Sequence, residues 1–169
     1  GCGLVHLGVP EDIWPVEAVK CTSAMPFPLA AEDGGLSLRA LEGIREKLAR
    51  CDVLALGPGL GRRAETAELI RRLLSETEKP AVLDADGINA LAGHIDILDG
   101  RRGRVTVLTP HEGEFARIGD LSGGRVRAAR DFAVDHGCWL VLKGHRSLTA
   151  TPWGTVLENA TGKCGMAQG

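Results

Sequence analysis

The chain has 169 residues, of which 44% are hydrophobic and 25% charged, with a formal net charge of −2. These values are typical of one globular domain with a hydrophobic core, and they argue against nucleic-acid binding, which needs a clustered basic excess. No apolar run is long enough to span a membrane, and no basic-then-apolar leader opens the chain. The five cysteines form no C-x-x-C pair, so we expect reduced thiols in a cytoplasmic protein rather than disulfides or a zinc site.

Short runs rich in Val and Leu predict the strands, and amphipathic stretches between them predict the helices. The runs do not alternate polar and apolar residues, which is typical of strands covered on both faces, as in a parallel sheet. In chain order, we predict strands at residues 4–9, 53–56, 81–83, 105–108 and 140–142. Apolar residues spaced three and four apart predict helices near residues 38–48, 67–74 and 124–136.

The last of these helices has recognisable signals at both ends. Ser122 is a candidate N-cap, and Gly137 is a candidate stop. Val126, Ala129 and Ala133 should face inward from it.

The alternation of strand and helix predicts an α/β fold: an open, doubly wound, mainly parallel sheet with helices on both faces. Residues 147–151 and 155–158 flank Pro152-Trp153-Gly154 and predict a hairpin near the end. Because no repeat or linker interrupts the pattern, we expect a single domain over residues 1–169. The chain starts without Met, directly before a strand-like run, so we also expect further residues ahead of it.

Ligands of open α/β sheets bind beyond the carboxyl ends of the strands, where this chain is polar or glycine-rich. The strand at 53–56 is followed by Gly57-Pro58-Gly59-Leu60-Gly61. The glycines fit a tight turn that needs positive φ, and they equally fit a loop that brings backbone N–H groups to a ligand. The segment is not the dinucleotide fingerprint G-x-G-x-x-G, because the third glycine is missing.

Two aspartates follow the strand at 81–83. Asp84 ends a buried strand and therefore needs a partner, either a metal ion or a hydrogen-bond donor. Asp86 can cap the short helix that follows, which would be a purely structural role. We interpret the pair as a candidate site.

A histidine with neighbouring carboxylates follows the strand at 105–108. Thr109 or His111 can cap the next helix, whose positive end suits Glu112 and Glu114. A lone histidine is more often structural, but its place at the end of a strand makes His111 a functional candidate as well.

The last two polar segments fit an anionic ligand. Lys143, beside Gly144 after the strand at 140–142, is a candidate phosphate contact, or a lysine that reaches for solvent. Residues 159–169 are glycine-rich and can form a nest of backbone amides for an anion, or a plain surface loop; they lack the Walker A pattern.

The order of these motifs resembles the ADP-dependent NAD(P)H-hydrate dehydratase family, the carbohydrate-kinase-like domain of the ribokinase superfamily that repairs hydrated NADH and NADPH. The resemblance covers essentially the whole chain. It rests on five segments in order: Gly57-Pro58-Gly59-Leu60-Gly61; Asp84-Ala85-Asp86-Gly87-Ile88-Asn89-Ala90-Leu91; Leu108-Thr109-Pro110-His111 with Glu114-Phe115; Leu142-Lys143-Gly144; and Asn159-Ala160-Thr161-Gly162 with Gly165-Met166-Ala167.

The resemblance implies two sets of binding residues, with ADP or ATP and Mg²⁺ as cofactors and no metal ligand from the protein. The hydrated dinucleotide would be bound by Gly59, Gly61, Asp86, Asn89, His111 and Glu114, in a pocket lined by residues 111–117. The adenine nucleotide would be bound by Lys143, Gly144, His145, Arg146, Ser147, Thr161, Gly162, Gly165, Met166 and Ala167.

The chain departs from the family pattern at both ends. In the family, an Ala-rich helix precedes the first strand, and the glycine-rich loop continues into a Gly-Gly-x-Gly-Asp run whose Asp is the catalytic base. We therefore expect no catalytic residue in this chain and the catalytic Asp just after Gly169.

The implied reaction is a lyase reaction in which a ring hydroxyl of the hydrate attacks the terminal phosphate of ADP or ATP and phosphate is then eliminated. The implied partners are hydrated NADH or NADPH and the nucleotide, a homo-oligomer, and an NAD(P)H-hydrate epimerase, fused or separate. Two alternatives stay open: a kinase of the same superfamily acting on a vitamin-precursor alcohol, and a catalytically inactive nucleotide-binding module. Thr109-Pro110-His111 favours the dehydratase over the kinase.

Overall fold

The computed structural model describes residues 2–160. The strands of this part are β1 (His6–Pro10), β2 (Met25–Leu29), β3 (Ala31–Glu32), β4 (Gly35–Leu36), β5 (Leu54–Leu56), β6 (Ala81–Leu83), β7 (Thr106–Leu108), β8 (Trp139–Leu142), β9 (Leu148–Ala150) and β10 (Val156–Glu158). The helices are α1 (Trp14–Lys20), α2 (Ala40–Leu48), α3 (Ala64–Glu76), α4 (Asp86–Asn89), α5 (Asp96–Asp99), α6 (Glu112–Phe115) and α7 (Arg125–His136). None of these helices has the length and apolar character needed to cross a bilayer.

A six-stranded sheet in the order β10-β9-β8-β7-β6-β5 forms the centre of the fold. Strands β5 to β8 are parallel, and β8, β9 and β10 pair antiparallel. The predicted α/β fold with a mainly parallel sheet is therefore confirmed. The terminal hairpin is also confirmed, with its turn at Gly154, where φ is +91°.

The two faces of this sheet differ in burial. Strands β5 to β8 are neighbours in chain order, so right-handed crossovers place their connecting helices on one face. On that face the strand residues are buried with residues of α3 and α7: Ala81, Leu83, Leu108, Leu140, Leu142, Ile70, Leu74, Phe132 and Ala133. The alternating residues Val82, Val107 and Val141 are half-buried and Ala55 is exposed. Within residues 2–160, helices α3 and α7 thus supply the layer that packs against the buried face of the sheet.

The first predicted strand lies outside the central sheet. Strand β1 pairs in parallel with β2 in a separate two-stranded sheet. Leu4 just before it is 77% exposed and Leu7 within it is 38% exposed, so the expectation that this strand is covered on both faces is wrong. Neither β2 nor α1 is predicted, because Pro26 and Pro28 interrupt the strand signal and α1 spans only 7 residues.

The predicted helices are present as α2, α3 and α7. Gly137 ends α7 in the left-handed conformation with φ 61°, as predicted. The predicted N-cap is wrong: Gly124 holds that position, and the hydroxyl of Ser122 donates to Asp120 instead. Val126, in the first turn of α7, is 53% exposed rather than inward, whereas Ala129 and Ala133 are buried as predicted.

A buried arginine connects the helical layer to the sheet. The Arg101 side chain is 1% exposed, and its Nε donates to Thr106 Oγ1 at 2.9 Å. Its terminal nitrogens donate to the carbonyl oxygens of Leu74, Thr77 and Lys79 at 2.8–2.9 Å. Burial lowers the pKa of this guanidinium from its usual value, and the carbonyls of the α3 C-terminus compensate for the desolvation.

Candidate active site

The carboxyl ends of β5, β6, β7 and β8 lie side by side because these strands are parallel and adjacent. The segments that follow them are residues 57–61, 84–89, 109–117 and 143–147. All the predicted site residues that fall within residues 2–160 therefore lie along one edge of the sheet. The predicted nucleotide contacts in the last segment lie outside the residues that the structure describes: Thr161, Gly162, Gly165, Met166 and Ala167.

The glycine loop after β5 contains glycines of two kinds. Gly57 has φ +147°, and a Cβ there would lie 1.6 Å from the carbonyl oxygen of Asp84. Gly57 is therefore required by backbone packing against the end of β6. Gly59 and Gly61 have φ +75° and +76°, and a Cβ at either would meet nothing within 4 Å. They satisfy the turn geometry and leave an open surface above the loop.

Asp86 ties the glycine loop to the helix after β6. Its Oδ2 accepts the backbone N–H of Gly61 at 2.9 Å, and its Oδ1 accepts Asn89 Nδ2 at 3.1 Å. Asn89 Oδ1 in turn accepts Arg117 Nη1 at 2.8 Å. The prediction that Asp86 caps α4 is wrong, because the N-cap position belongs to Ala85 and carries no side-chain bond. Residues from three segments are thus held in one hydrogen-bonded chain.

Ala85 has an unusual backbone at the same place. Its φ is 47° and its ψ is −118°, a combination that a residue with a side chain rarely adopts. The strain lies between the two aspartates of the segment, and such outliers concentrate at functional sites.

The partner of Asp84 is Lys143, two strands away across β7. Lys143 Nζ lies 2.8 Å from Asp84 Oδ1, and about one third of each side chain is exposed. Burial works against the charged carboxylate, but the hydrogen bond and charge of Lys143, with the N–H of Ala85, outweigh it. The pKa of Asp84 is therefore lowered from its usual value. Asp84 has the hydrogen-bond donor that its position requires, and Lys143 is held at the sheet edge.

His111 is the N-cap of α6. Its Nδ1 accepts the backbone N–H groups of Gly113 at 3.0 Å and Glu114 at 3.2 Å, and Glu114 Oε2 accepts the N–H of His111 at 2.9 Å. These bonds form a capping box, so the capping role predicted for Thr109 or His111 belongs to His111. Thr109 instead donates its hydroxyl to Leu83 O. The bonds to Nδ1 leave the ring proton on Nε2, and 53% of the His111 side chain is exposed.

Arg125 holds the segment after β8, and sequence reasoning missed it. Its Nη1 donates to the carbonyl oxygens of His145 at 2.9 Å and Arg146 at 3.4 Å. Its Nε lies 2.8 Å from Glu112 Oε1, and Nη2 would be 2.7 Å from a Cβ at Gly144. The sequence treats this arginine as one of many on a solvated face. Only the structure places it between the loops of His111 and Lys143.

The remaining predicted nucleotide contacts are held by short-range bonds. The Lys143 N–H donates to Pro110 O at 2.7 Å and continues the pairing of β7 with β8. Ser147 Oγ donates to Gly144 O at 3.3 Å. Arg146, with a positive φ of 59°, pairs with Glu158 at 3.2 Å. The segment is therefore shaped by its own backbone contacts.

The edge combines cations with accessible backbone and suits an anionic, phosphate-bearing ligand. Lys143, Arg62 and Arg117 all stand at its loops, and the guanidinium groups can bind phosphate in bidentate fashion. Within residues 2–160, no group of three or more His, Cys, Asp or Glu side chains is arranged to hold a metal ion.

A family model described as NAD(P)H-hydrate dehydratase matches residues 1–169. The bifunctional NAD(P)H-hydrate repair enzyme of Moorella thermoacetica is 42% identical over 99% of this chain, which covers 32% of that protein. The ADP-dependent (S)-NAD(P)H-hydrate dehydratase of Neisseria meningitidis is 32% identical over 99% of this chain, which covers 55% of it. The chain thus spans about a third to a half of the length of the curated relatives it matches.

Solved structures share the fold at lower identity. An ADP/ATP-dependent NAD(P)H-hydrate dehydratase from Bacillus subtilis, co-crystallised with ATP and Mg²⁺, is 23% identical, with a TM-score of 0.69 over all of this chain and 59% of its own. A ribokinase-like superfamily protein from Enterococcus faecalis is 21% identical, with a TM-score of 0.78 over all of this chain and 57% of its own. At this level of identity, the likeness supports the ribokinase-like fold.

Proposed function

This chain belongs to the NAD(P)H-hydrate dehydratase family, and from that premise we propose that its protein converts hydrated NADH and NADPH back to NADH and NADPH at the expense of ADP or ATP. One observation carries the proposal beyond family membership. The glycine loop, the Asp86–Asn89 segment, His111 and Lys143 all lie along one sheet edge, and Lys143 is oriented there by Asp84 at 2.8 Å.

On this proposal the dinucleotide hydrate binds over strands β5 to β7. Gly59 and Gly61 offer an open backbone surface, which lets a flat ring approach closely. Asp86 and Asn89 hold that loop in shape, and the His111 side chain, which is 53% exposed, would contact the dinucleotide. Glu114 is 7% exposed and positions His111 through the capping box.

The adenine nucleotide binds over β8. Lys143 would contact its phosphates as a point charge. Residues 144–147 would contact the rest of the nucleotide, and Arg125 maintains the conformation of this segment. The family resemblance adds predicted contacts at Thr161, Gly162, Gly165, Met166 and Ala167, which lie outside the described residues. Support for this assignment is the match of Leu142-Lys143-Gly144 to the family motif and the position of Lys143 at the strand end.

Mg²⁺ would enter with the nucleotide. Magnesium usually keeps several waters and binds through substrate phosphates, so the nucleotide would supply its main ligands. The ion would neutralise phosphate charge during phosphoryl transfer. The residues proposed here bind and orient the two ligands. The ring hydroxyl of the hydrate would attack the terminal phosphate, its proton passing to the catalytic Asp of the family pattern, and AMP or ADP would leave. The C–O bond of the phosphorylated ring would then break to release inorganic phosphate, and loss of a neighbouring ring proton would form the nicotinamide double bond again.

The wider context of the site is also proposed. The two hydrophobic clusters of the fold share Leu56 and Leu60, which supports a single domain over residues 1–169. Fusion in the Moorella relative supports a protein that contains or works with an NAD(P)H-hydrate epimerase. We also propose a homo-oligomer and a cytoplasmic location, where both dinucleotides are made and used.

The test of the function is a direct repair assay. The complete protein is incubated with ADP, Mg²⁺ and hydrated NADH, and absorbance of the reduced nicotinamide is followed. Recovery of absorbance, with AMP and phosphate as products, is expected. A stable phosphorylated alcohol without recovery of NADH would instead identify a small-molecule kinase, and nucleotide binding without any turnover would identify an inactive binding module.

A variant tests the nucleotide subsite. Lys143→Ala removes the charge next to the proposed phosphates, so we expect the Kd of ADP to rise about tenfold, measured by calorimetry. Lys20→Ala, an exposed lysine of α1, is the matched control and should leave the affinity unchanged. An unaltered Kd in Lys143→Ala would contradict the assignment.

A further inference from the structure

A cleft of about 210 Å³ opens beside the glycine loop, between α3 and the segments that follow β6 and α6. Small residues line part of it, namely Gly61, Ala67 and Ala90. Polar side chains also line it, among them Arg62 and Arg117. The resemblance places Arg117 in the lining of the substrate pocket but names no ligand group for it, and it gives Arg62 no role.

The carboxylate in this cleft, that of Asp86, already has hydrogen-bond partners. Both oxygens of Asp86 accept hydrogen bonds, from the backbone of Gly61 and from Asn89. Arg62 Nε stands 3.7 Å from Asp86 Oδ1, so the aspartate balances one of the two guanidinium groups. With Arg117 the cleft carries an excess positive charge.

Both guanidinium groups have donors to spare. Arg117 uses one nitrogen for Asn89 Oδ1 at 2.8 Å, and that bond fixes its position, while the rest of its five donors are open to solvent. The Arg62 side chain is 67% exposed and keeps only the long contact to Asp86. A planar guanidinium group that is fixed by one hydrogen bond is preorganised for bidentate binding of a tetrahedral oxyanion.

We propose that Arg62 and Arg117 bind a phosphate group of the dinucleotide hydrate in this cleft. The inference rests on the proposed function and names a recognition site for its substrate. The cleft adjoins β5 and β6, whereas Lys143 and the proposed nucleotide segment follow β8, with β7 between. The ligand group therefore belongs to the substrate that covers the glycine loop, and its chemistry is that of a phosphate ester or a pyrophosphate.

The phosphate could be the bridging pyrophosphate or the 2′-phosphate of the dinucleotide, and assays with hydrated NADH and hydrated NADPH distinguish the two. Arg117→Gln and Arg62→Gln are assayed in the complete protein with hydrated NADH and hydrated NADPH. We expect about a tenfold rise in KM for each charge removed, with kcat and the KM of ADP unchanged. A rise with both substrates identifies the bridging pyrophosphate, and a rise only with hydrated NADPH identifies the 2′-phosphate.

A control and a second measurement keep the outcomes distinct. Arg127→Gln removes an arginine of α7 that is 72% exposed and pairs with Asp131, so its KM values should equal those of the wild type. Arg62→Gln cannot compromise folding through its single 3.7 Å contact, which covers the case in which Arg117→Gln is unstable. Unchanged KM values in Arg62→Gln and in a folded Arg117→Gln would overturn the inference.

Failure of the proposed function has its own signature. If the wild type restores no NADH, the cleft is tested with inorganic pyrophosphate by calorimetry. Weaker binding of pyrophosphate by Arg62→Gln and Arg117→Gln than by Arg127→Gln would preserve the anion site without the dehydratase. Equal binding by all three variants would overturn the anion site as well.

Discussion

The Asp84–Lys143 pair offers a quantitative test of how the sheet edge is held together. Asp84→Asn keeps the shape of the side chain and its acceptor for the Ala85 N–H, and Lys143→Met keeps most of the apolar stem. A hydrogen bond to a charged group contributes about 1.5–3 kcal/mol. Since one third of each side chain is exposed, solvent screening lowers this figure, and we expect a coupling energy of about 1–2 kcal/mol.

The assay is a double-mutant cycle on the free energy of unfolding, measured with urea at pH 7. Each single variant removes the ion pair and leaves the other charged group half-buried without an opposite charge. The double variant should therefore be destabilised by less than the sum of the two singles. Additivity within about 0.3 kcal/mol would refute the pair as a stabilising contact.

The pH dependence of the coupling has a defined sign. The folded-state pKa of Asp84 is lowered below its usual value, while the unfolded value is about 3.9. The contribution is therefore complete above the unfolded pKa and is lost as the pH falls through the folded pKa. The coupling energy should be equal at pH 7 and pH 5 and should shrink in more acidic buffer. A loss between pH 8 and pH 6 would point to a different titrating group.

Three further predictions follow from buried or bridging side chains. Arg125→Ala should speed hydrogen exchange of the backbone amides that follow β8, since two carbonyls lose their donor; Arg127→Ala is the control, and equal exchange would remove Arg125 from its positioning role. Arg101→Met should lower the free energy of unfolding by about 3–5 kcal/mol in urea titrations, because buried carbonyls lose their partner; a change below 1 kcal/mol would contradict this. Burial raises the pKa of Cys138 to about 12, so its thiol should resist alkylation at pH 8.5 until the protein unfolds, whereas the exposed Cys2 reacts at once.

The parallel strands of the fold are predictable because they are buried. Strands β6, β7 and β8 coincide with apolar runs, and each is followed by a change to polar residues. The prediction of a buried strand at the first apolar run is wrong, because β1 lies in a small separate sheet with exposed leucines. A run of apolar residues reports a preference for burial, and only the tertiary structure decides whether a covering layer reaches it.

The site is predictable in its positions more than in its contacts. Asp84 is recognised as a carboxylate that needs a partner, yet Lys143 lies 59 residues further along the chain, and no local signal connects them. The role of Asp86 is misjudged, because an aspartate before a helix is normally its cap and here it binds the glycine loop. Arg125 is hidden among other arginines of α7, since its function depends on which helix face meets the segment after β8.

The contact between Gly57 and Asp84 has a mechanical consequence. Their backbones meet so closely that a Cβ at Gly57 would overlap the Asp84 carbonyl, and a Cβ at Gly87 would lie 2.5 Å from Leu56 O. The two loops therefore share a backbone contact that only glycine permits at both positions. Because Asp84 also binds Lys143, we expect a displacement of the glycine loop to be transmitted to Lys143.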